Sequence, residues 1–247
     1  GAWLGSLYYG IPLVIMSPLD FLARPLRWLQ AIDRYRGTLS ASPNFGYELC
    51  LKRVDDEALA RLDLRSWRAA FNGAEPVIPA TLERFSARFA AAGFRPQAAM
   101  PVYGLAEAAL GLAFPPIGRE PRIDRVDRDA LSRRGEARPV SPEVADALRF
   151  PSCGRVLPGY RVRIVDPAGQ QLPARRQGRI EFTGPSATRG YFNNPEATRR
   201  LRDGEWLDTG DLGYLADDEL YLTGRVKDLI VRAGRNLYPQ ELEAAVG

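Results

Sequence analysis

Two patterns of apolar residues divide this chain. Up to residue 102 they come as short runs and helical stripes in alternation; from residue 152 they alternate singly with polar residues between Pro and Gly turns. In the first regime, residues 11–16 (IPLVIM) read as a buried strand. Residues 18–35 read as one amphipathic helix with Phe21, Leu22, Leu26, Leu29 and Ile32 on its apolar face. A strand is expected near 38–42. The SPNF segment at 42–45 then turns into a helix that Ser42 can cap, with Phe45, Leu49 and Leu51 inward. Residues 67–71 read as a strand ending in NGAEP, 79–92 as an amphipathic helix, and 98–102 as a strand delivering YGLAE. Such alternation predicts an α/β fold with parallel strands.

The pattern lapses over 115–150, which is rich in arginine and acids and starts on Pro115 and Pro116. A long surface connection with a short helix at 141–148 is expected there. Beyond it, VRIVD, RIEFTG and ELYLTG are short segments separated by LPGY, DPAG and LPARRQG, as in a small antiparallel barrel or sandwich. The expected organisation is an α/β subdomain over 1–150, a β subdomain over 151–225, and a hinge with the start of a further, truncated domain over 226–247. In that last segment Tyr238-Pro239 opens a helix.

Composition narrows the chemistry mainly by what it lacks. With 247 residues, 45% of them hydrophobic, the chain can bury one large core or two modest ones. There is no histidine, which removes histidine-based triads, histidine-ligated zinc and any imidazole base. The two cysteines, Cys50 and Cys153, read as buried thiols rather than as a disulfide or metal framework. No apolar run reaches the length of a membrane span, and the first residues lack a leader pattern, so a cytoplasmic protein is expected. The net charge of +4 is spread through interleaved acids without a basic tract, which argues against nucleic acid.

The densest chemistry lies between residues 207 and 243. In LDTGDLGYL, Gly210 and Gly213 bracket Asp211, whose carboxylate on a tight turn could accept hydrogen bonds from a ribose diol. Arg225 follows Gly224 at the end of an apolar strand and presents a guanidinium fork to phosphate or ribose oxygens; Lys227 lies two residues on. A hairpin with surface charges is the plainer reading of these residues taken singly. In a parallel sheet ligands sit at the carboxyl ends of strands, where the loops at 72–76 and 103–107 fall. There Gly73 and Ala74 would admit a flat base, Tyr103 could stack on it, and Glu107 could hold magnesium near phosphates. A core tyrosine and a carboxylate favouring a helix dipole are the alternatives.

GAEP, YGLAE, GYFNNPEAT at 190–198, WLDTGDLGYL and GRVKDLIVRAGRNLYPQELE stand in the order seen in adenylate-forming enzymes. The chain resembles that superfamily, and within it the fatty acyl-AMP ligases, through residues 9–50, PSCGRVLPGYRVRIVD and GRNLYPQELE. The resemblance implies part of the large N-terminal domain: a parallel α/β subdomain followed by a small antiparallel barrel-like one. It implies ATP and Mg2+ as cofactors and a fatty acid as substrate, activated to acyl-AMP and pyrophosphate. The acyl group would then pass to an acyl carrier protein or to a carrier domain of a polyketide or nonribosomal peptide synthase.

Residue by residue, it implies that Gly73, Ala74, Glu75 and Gly104 line the adenine pocket and that Tyr103 stacks on adenine. Glu107 would bind magnesium, Asp211 the ribose hydroxyls, and Arg225 the ribose and phosphate. Lys227 would be the hinge between half-reactions, while Asn44, Phe45 and Tyr47 would border the acyl tunnel. Ala106 stands where the superfamily often has threonine. The family's Gly-rich phosphate loop and late catalytic lysine have no counterpart in these residues, so the 247 residues alone are expected to be inactive. The alternatives are a fatty acyl-CoA ligase and a noncatalytic adenylate-binding or partner-docking remnant.

Overall fold

Prolines set the first breaks in the chain. The computed structural model describes residues 2–232 and 235–237; the helix expected at Tyr238-Pro239 lies outside them. Helix α1 (Ala2–Tyr9) leads into residues 11–17, which form no strand and leave Ile11, Val14 and Ile15 exposed. The strand expected at 11–16 is therefore absent: an apolar run becomes a strand only with a pairing neighbour, and Pro12 removes one ladder donor. The single helix expected over 18–35 is two, α2 (Pro18–Ala23) and α3 (Leu26–Tyr35). Pro25 pushes Arg24 out of helical backbone, to φ −147° and ψ 84°. Trp28, Leu29 and Ile32 form the buried stripe, and Leu22 is exposed.

Strand β1 (Leu39–Ser42) feeds α4 (Asn44–Arg53). Ser42 does not cap it; Pro43 holds that position, and the Ser42 hydroxyl donates to the Pro43 carbonyl. The inward face is also rotated from expectation. Asn44, Gly46, Tyr47 and Cys50 are buried, whereas Phe45 is exposed and Leu49 and Leu51 are half-buried. After α5 (Asp56–Leu59) come β2 (Ala69–Asn72), α6 (Pro79–Phe89) and β3 (Ala99–Pro101); β1, β2 and β3 pair in parallel in that order. Under the sheet Trp28, Tyr47, Trp67, Phe85 and Phe94 meet, Tyr47 stacked on Trp67 and the other contacts edge-on, with ring centroids of 5.2 Å for Trp28 and Trp67 and 5.1 Å for Phe85 and Phe94. This unit runs through Pro101 and takes back Pro116–Pro121.

The second unit contains Val102–Pro115 and what is described from Arg122 on, so the division falls at Pro101 and not near residue 150. Its elements are β4 (Ala113–Phe114), β5 (Ile123–Val126), α7 (Arg128–Arg134), β6 (Leu148–Pro151), β7 (Arg155–Val156), β8 (Arg161–Val165), β9 (Gly178–Thr183), α8 (Pro195–Leu201), β10 (Arg202–Asp203), β11 (Trp206–Ala216), β12 (Glu219–Arg225), β13 (Ile230–Arg232) and β14 (Arg235–Leu237). A five-stranded antiparallel sheet in the order β10-β11-β9-β8, with β12 on β11, carries the core of Leu112, Ile164, Ile180, Phe182 and Leu220.

The stretch expected to be irregular is partly ordered, since β5 pairs with β6 and Asp127 caps α7 by accepting from the Ala130 amide at 2.7 Å. No helix forms at 141–148. The Arg125 guanidinium takes the carbonyls of Pro142 and Val144, acceptors a first helical turn would need.

Candidate functional site

Asp211 lies within β11, not on the open turn its glycine neighbours suggested. Gly210, at φ +73°, breaks the register between β11 and β9, and a further irregularity follows at 212/213. The result is a bulge that turns the Asp211 side chain into the second unit, where it is 9% exposed. Its neighbours fix the bulge: the Asp211 amide donates to Thr209 Oγ1 at 3.1 Å, the Thr209 hydroxyl donates to the Ile180 carbonyl at 2.9 Å, and the Val226 amide donates to the Gly210 carbonyl at 3.0 Å.

Two side chains meet the carboxylate. The Tyr103 hydroxyl donates to Oδ2 at 2.7 Å, and Arg225 Nε lies 3.2 Å from Oδ1. Burial pushes the Asp211 carboxyl above its ordinary value, while the Tyr103 hydrogen bond and the Arg225 charge pull it back. Among the described residues each oxygen has one such partner and keeps a further lone pair, so the carboxylate can still accept from a vicinal diol. In the pair formed by β11 and β12, Asp211 stands directly opposite Arg225, a pairing that the expected strand end after Gly224 did not foresee.

The YGLAE loop is built around a glycine. A Cβ on Gly104 would stand 1.6 Å from the Leu110 carbonyl oxygen, so only glycine lets the loop fold back on itself. Glu107 sits in a short 3-10 turn (Ala106–Ala108), followed by Ala109 at φ +51° and Leu110 at φ +91°, an unusual left-handed pair for side-chain-bearing residues. Residues 186–191 clamp this loop. Ser186 donates to the Ala108 carbonyl at 2.6 Å, the Thr188 amide to the Glu107 carbonyl at 2.8 Å, and the Tyr191 hydroxyl to Glu107 Oε1 at 2.5 Å. Tyr191 is pushed up to about 12, first by that bond and then by partial burial. Among the described residues no cluster of three or more acidic, histidine or cysteine side chains gathers as a metal site. A magnesium ion at Glu107 would draw its remaining ligands from phosphate oxygens and water, which is how that ion is usually held.

In the first unit, Gly73, Ala74 and Glu75 follow β2. Ala74 adopts φ +68°, and Glu75 Oε1 accepts from the Phe45 amide at 2.6 Å, at the positive end of α4. Asn44 and Tyr47 are buried and tied. Asn44 donates to Thr81 and accepts from Asn72 and the Ile78 amide, each at 3.2 Å, and the Tyr47 hydroxyl donates to the Phe71 carbonyl at 2.9 Å. Of the three expected acyl-pocket residues, Phe45 alone presents an exposed ring. Lys227 is exposed in the turn after β12. The site residues thus form one group around Asp211 with Tyr103 and Arg225, a second around Glu107, and a third at the ends of β2 and α4. Sequence reasoning gave no role to Thr209 or Tyr191, although Tyr191 belongs to the quoted GYFNNPEAT segment. Cys50 and Cys153 are buried free thiols, each pushed up to about 12 by burial, which leaves them unreactive.

An AMP-binding enzyme model matches residues 1–192, three quarters of the chain. The chain belongs to the AMP-binding enzyme family. Among its relatives in that family is a medium-chain-fatty-acid–[acyl-carrier-protein] ligase of Moorena producens, 44% identical over 97% of this chain and 42% of that protein. A putative acyl-CoA synthetase of Caulobacter vibrioides is 40% identical over 98% of this chain and 45% of that protein. Of solved structures, one from work on fatty acyl-adenylate ligases of E. coli and L. pneumophila superposes with a TM-score of 0.87 at 43% identity, over 92% of this chain and 41% of that one. The AMP-binding fold is therefore the expected α/β one, with a parallel sheet and a curled antiparallel sheet. The chain spans less than half the length of these relatives.

Proposed function

We propose that the protein carrying this chain activates a fatty acid with ATP and magnesium to acyl-AMP and pyrophosphate, then passes the acyl group to an acyl carrier protein or carrier domain. The observation that supports it is the buried Asp211 carboxylate between Tyr103 and Arg225, in a chain 44% identical to a medium-chain-fatty-acid–[acyl-carrier-protein] ligase. In this reading Asp211 holds the ribose hydroxyls and Arg225 the ribose and phosphate side. Glu107 offers a carboxylate oxygen to magnesium, which neutralises charge on the phosphates when bound. Gly73, Ala74, Glu75 and Gly104 border the base, and Phe45 faces the acyl chain. Carboxylate attack on the α-phosphorus needs in-line positioning and charge neutralisation rather than an imidazole base, so the lack of histidine in these residues does not count against it.

A second reading, transfer to coenzyme A, is favoured by the likeness to the putative acyl-CoA synthetase. The complete protein, given fatty acids of graded length, ATP and either holo-carrier protein or coenzyme A, decides. Acyl-carrier formation with little acyl-CoA is expected, and efficient acyl-CoA formation defeats the first reading. Absence of fatty-acid-dependent pyrophosphate release defeats both.

A further inference from the structure

Asp211 has two partners of different stiffness. Arg225 reaches it with a side chain that is 67% exposed, and an exposed guanidinium holds geometry poorly against water and salt. Tyr103 is 6% exposed, and its ring belongs to the core formed with Leu112, Ile180 and Phe182. Its backbone is pinned as well: the Tyr103 amide donates to the Ala113 carbonyl, and the Leu112 and Ala113 amides donate to the Tyr103 carbonyl, all at 3.0 Å. The hydroxyl therefore arrives at Asp211 Oδ2 from a fixed direction. Thr209, anchored on Ile180, fixes the backbone of Asp211 from the same core.

We propose that Tyr103 is a positioning residue for the nucleotide, its hydroxyl orienting the Asp211 carboxylate so that the remaining lone pairs face a ribose diol. The inference rests on the nucleotide reading of Asp211 given above. A carboxylate rotates freely about its terminal bond, and one stiff donor is enough to remove that freedom. With the orientation lost, binding of the sugar weakens while the reacting phosphate is untouched.

The test uses the complete protein with ATP and with 2′,3′-dideoxyATP, following fatty-acid-dependent pyrophosphate exchange in the wild type, Tyr103→Phe, Asp211→Asn and the double variant. Tyr103→Phe should raise the KM for ATP on the order of tenfold, the scale on which a supporting hydrogen bond acts, and leave kcat within about twofold. It should leave the KM for the dideoxy nucleotide unchanged, and it should add nothing in the Asp211→Asn background. An equal rise with both nucleotides, or no rise with ATP, overturns the proposal. Should Tyr103→Phe fail to fold, site-specific 3-fluorotyrosine at position 103 keeps the shape and strengthens the donor. A change in the KM for ATP alone then supports the proposal, and a change for both nucleotides or neither overturns it. A wild type that uses ATP and dideoxyATP equally well defeats the ribose role of Asp211 and this proposal with it, while leaving adenylation itself standing.

Discussion

Asp211 illustrates how a buried carboxylate can weigh on the stability of the fold. Its carboxyl is raised above 3.8, with burial outweighing Tyr103 and Arg225. A folded-state value above the unfolded one means the folded state binds the proton more tightly. Stability from this group is then full below the ordinary carboxylate range and is lost as pH rises through the shifted value. Asp211→Asn removes the ionisation and can still accept from Tyr103. Thermal melting of this variant should therefore match the wild type in acid and exceed it near neutral pH, while ATP use weakens by roughly 1–3 kcal/mol. A wild type that gains on the variant as pH rises would contradict the assignment.

Gly104 and Gly210 separate two ways a glycine can be required. Gly104→Ala drives a Cβ into the Leu110 carbonyl at 1.6 Å, backbone that cannot yield, and should cost about 3 kcal/mol or more. Gly210 has φ +73° but open space around it, so Gly210→Ala should cost only the left-handed strain of about 1–2 kcal/mol. Comparing the two melting curves checks the order.

At the scale of elements, what the sequence disclosed depended on whether the cause was local. The three parallel strands and α6 were legible because strand runs and a 3.6-residue stripe are local signals, with Pro79 marking the first helical position. The break at Pro25 was legible in principle, since a proline within a helical stripe displaces the residue before it. The helix wrongly expected at 141–148 and the helix α7 that was missed share one lesson. Ser141 and Pro142 imitate a helix start, yet Arg125, far back in the chain, takes the carbonyls. Asp127 was an equally readable cap, but the surrounding charges hid it.

That cap is testable. The Asp127 carboxyl is held below the usual range, first by the Ala130 amide and then by Arg138, so its contribution is present at neutral pH and lost in acid. Asp127→Ala should destabilise the chain by about 1 kcal/mol at neutral pH, as the loss of a cap does, and less in acid. Equal destabilisation at both pH values would remove the charged cap as the cause. The Tyr103 contact with Asp211 could not be read at all, because it joins residues 108 apart through the bulge at Gly210, and no local pattern encodes a register shift.

For the whole molecule the decisive question is whether Lys227 acts as a joint. It is exposed and sits in a turn held by its neighbours: the Val226 amide donates to Gly210 and the Asp228 amide to Arg225, at 3.0 and 3.2 Å. The Lys227 amide serves neither bond, so a proline there removes neither. It does fix the φ of residue 227 and restrict Val226, stiffening the backbone just beyond Arg225. If the two half-reactions use two arrangements of the chain about this point, Lys227→Pro in the complete protein should leave single-turnover acyl-AMP formation within about threefold. Acyl transfer to the carrier should fall by at least about tenfold, because reorientation and not chemistry is obstructed. An unchanged melting temperature shows that the turn tolerates the ring. Equal loss of both half-reactions in a folded variant would mean that Lys227 contributes to the site and not to a hinge, and full retention of both would mean that motion about this turn is not part of the cycle.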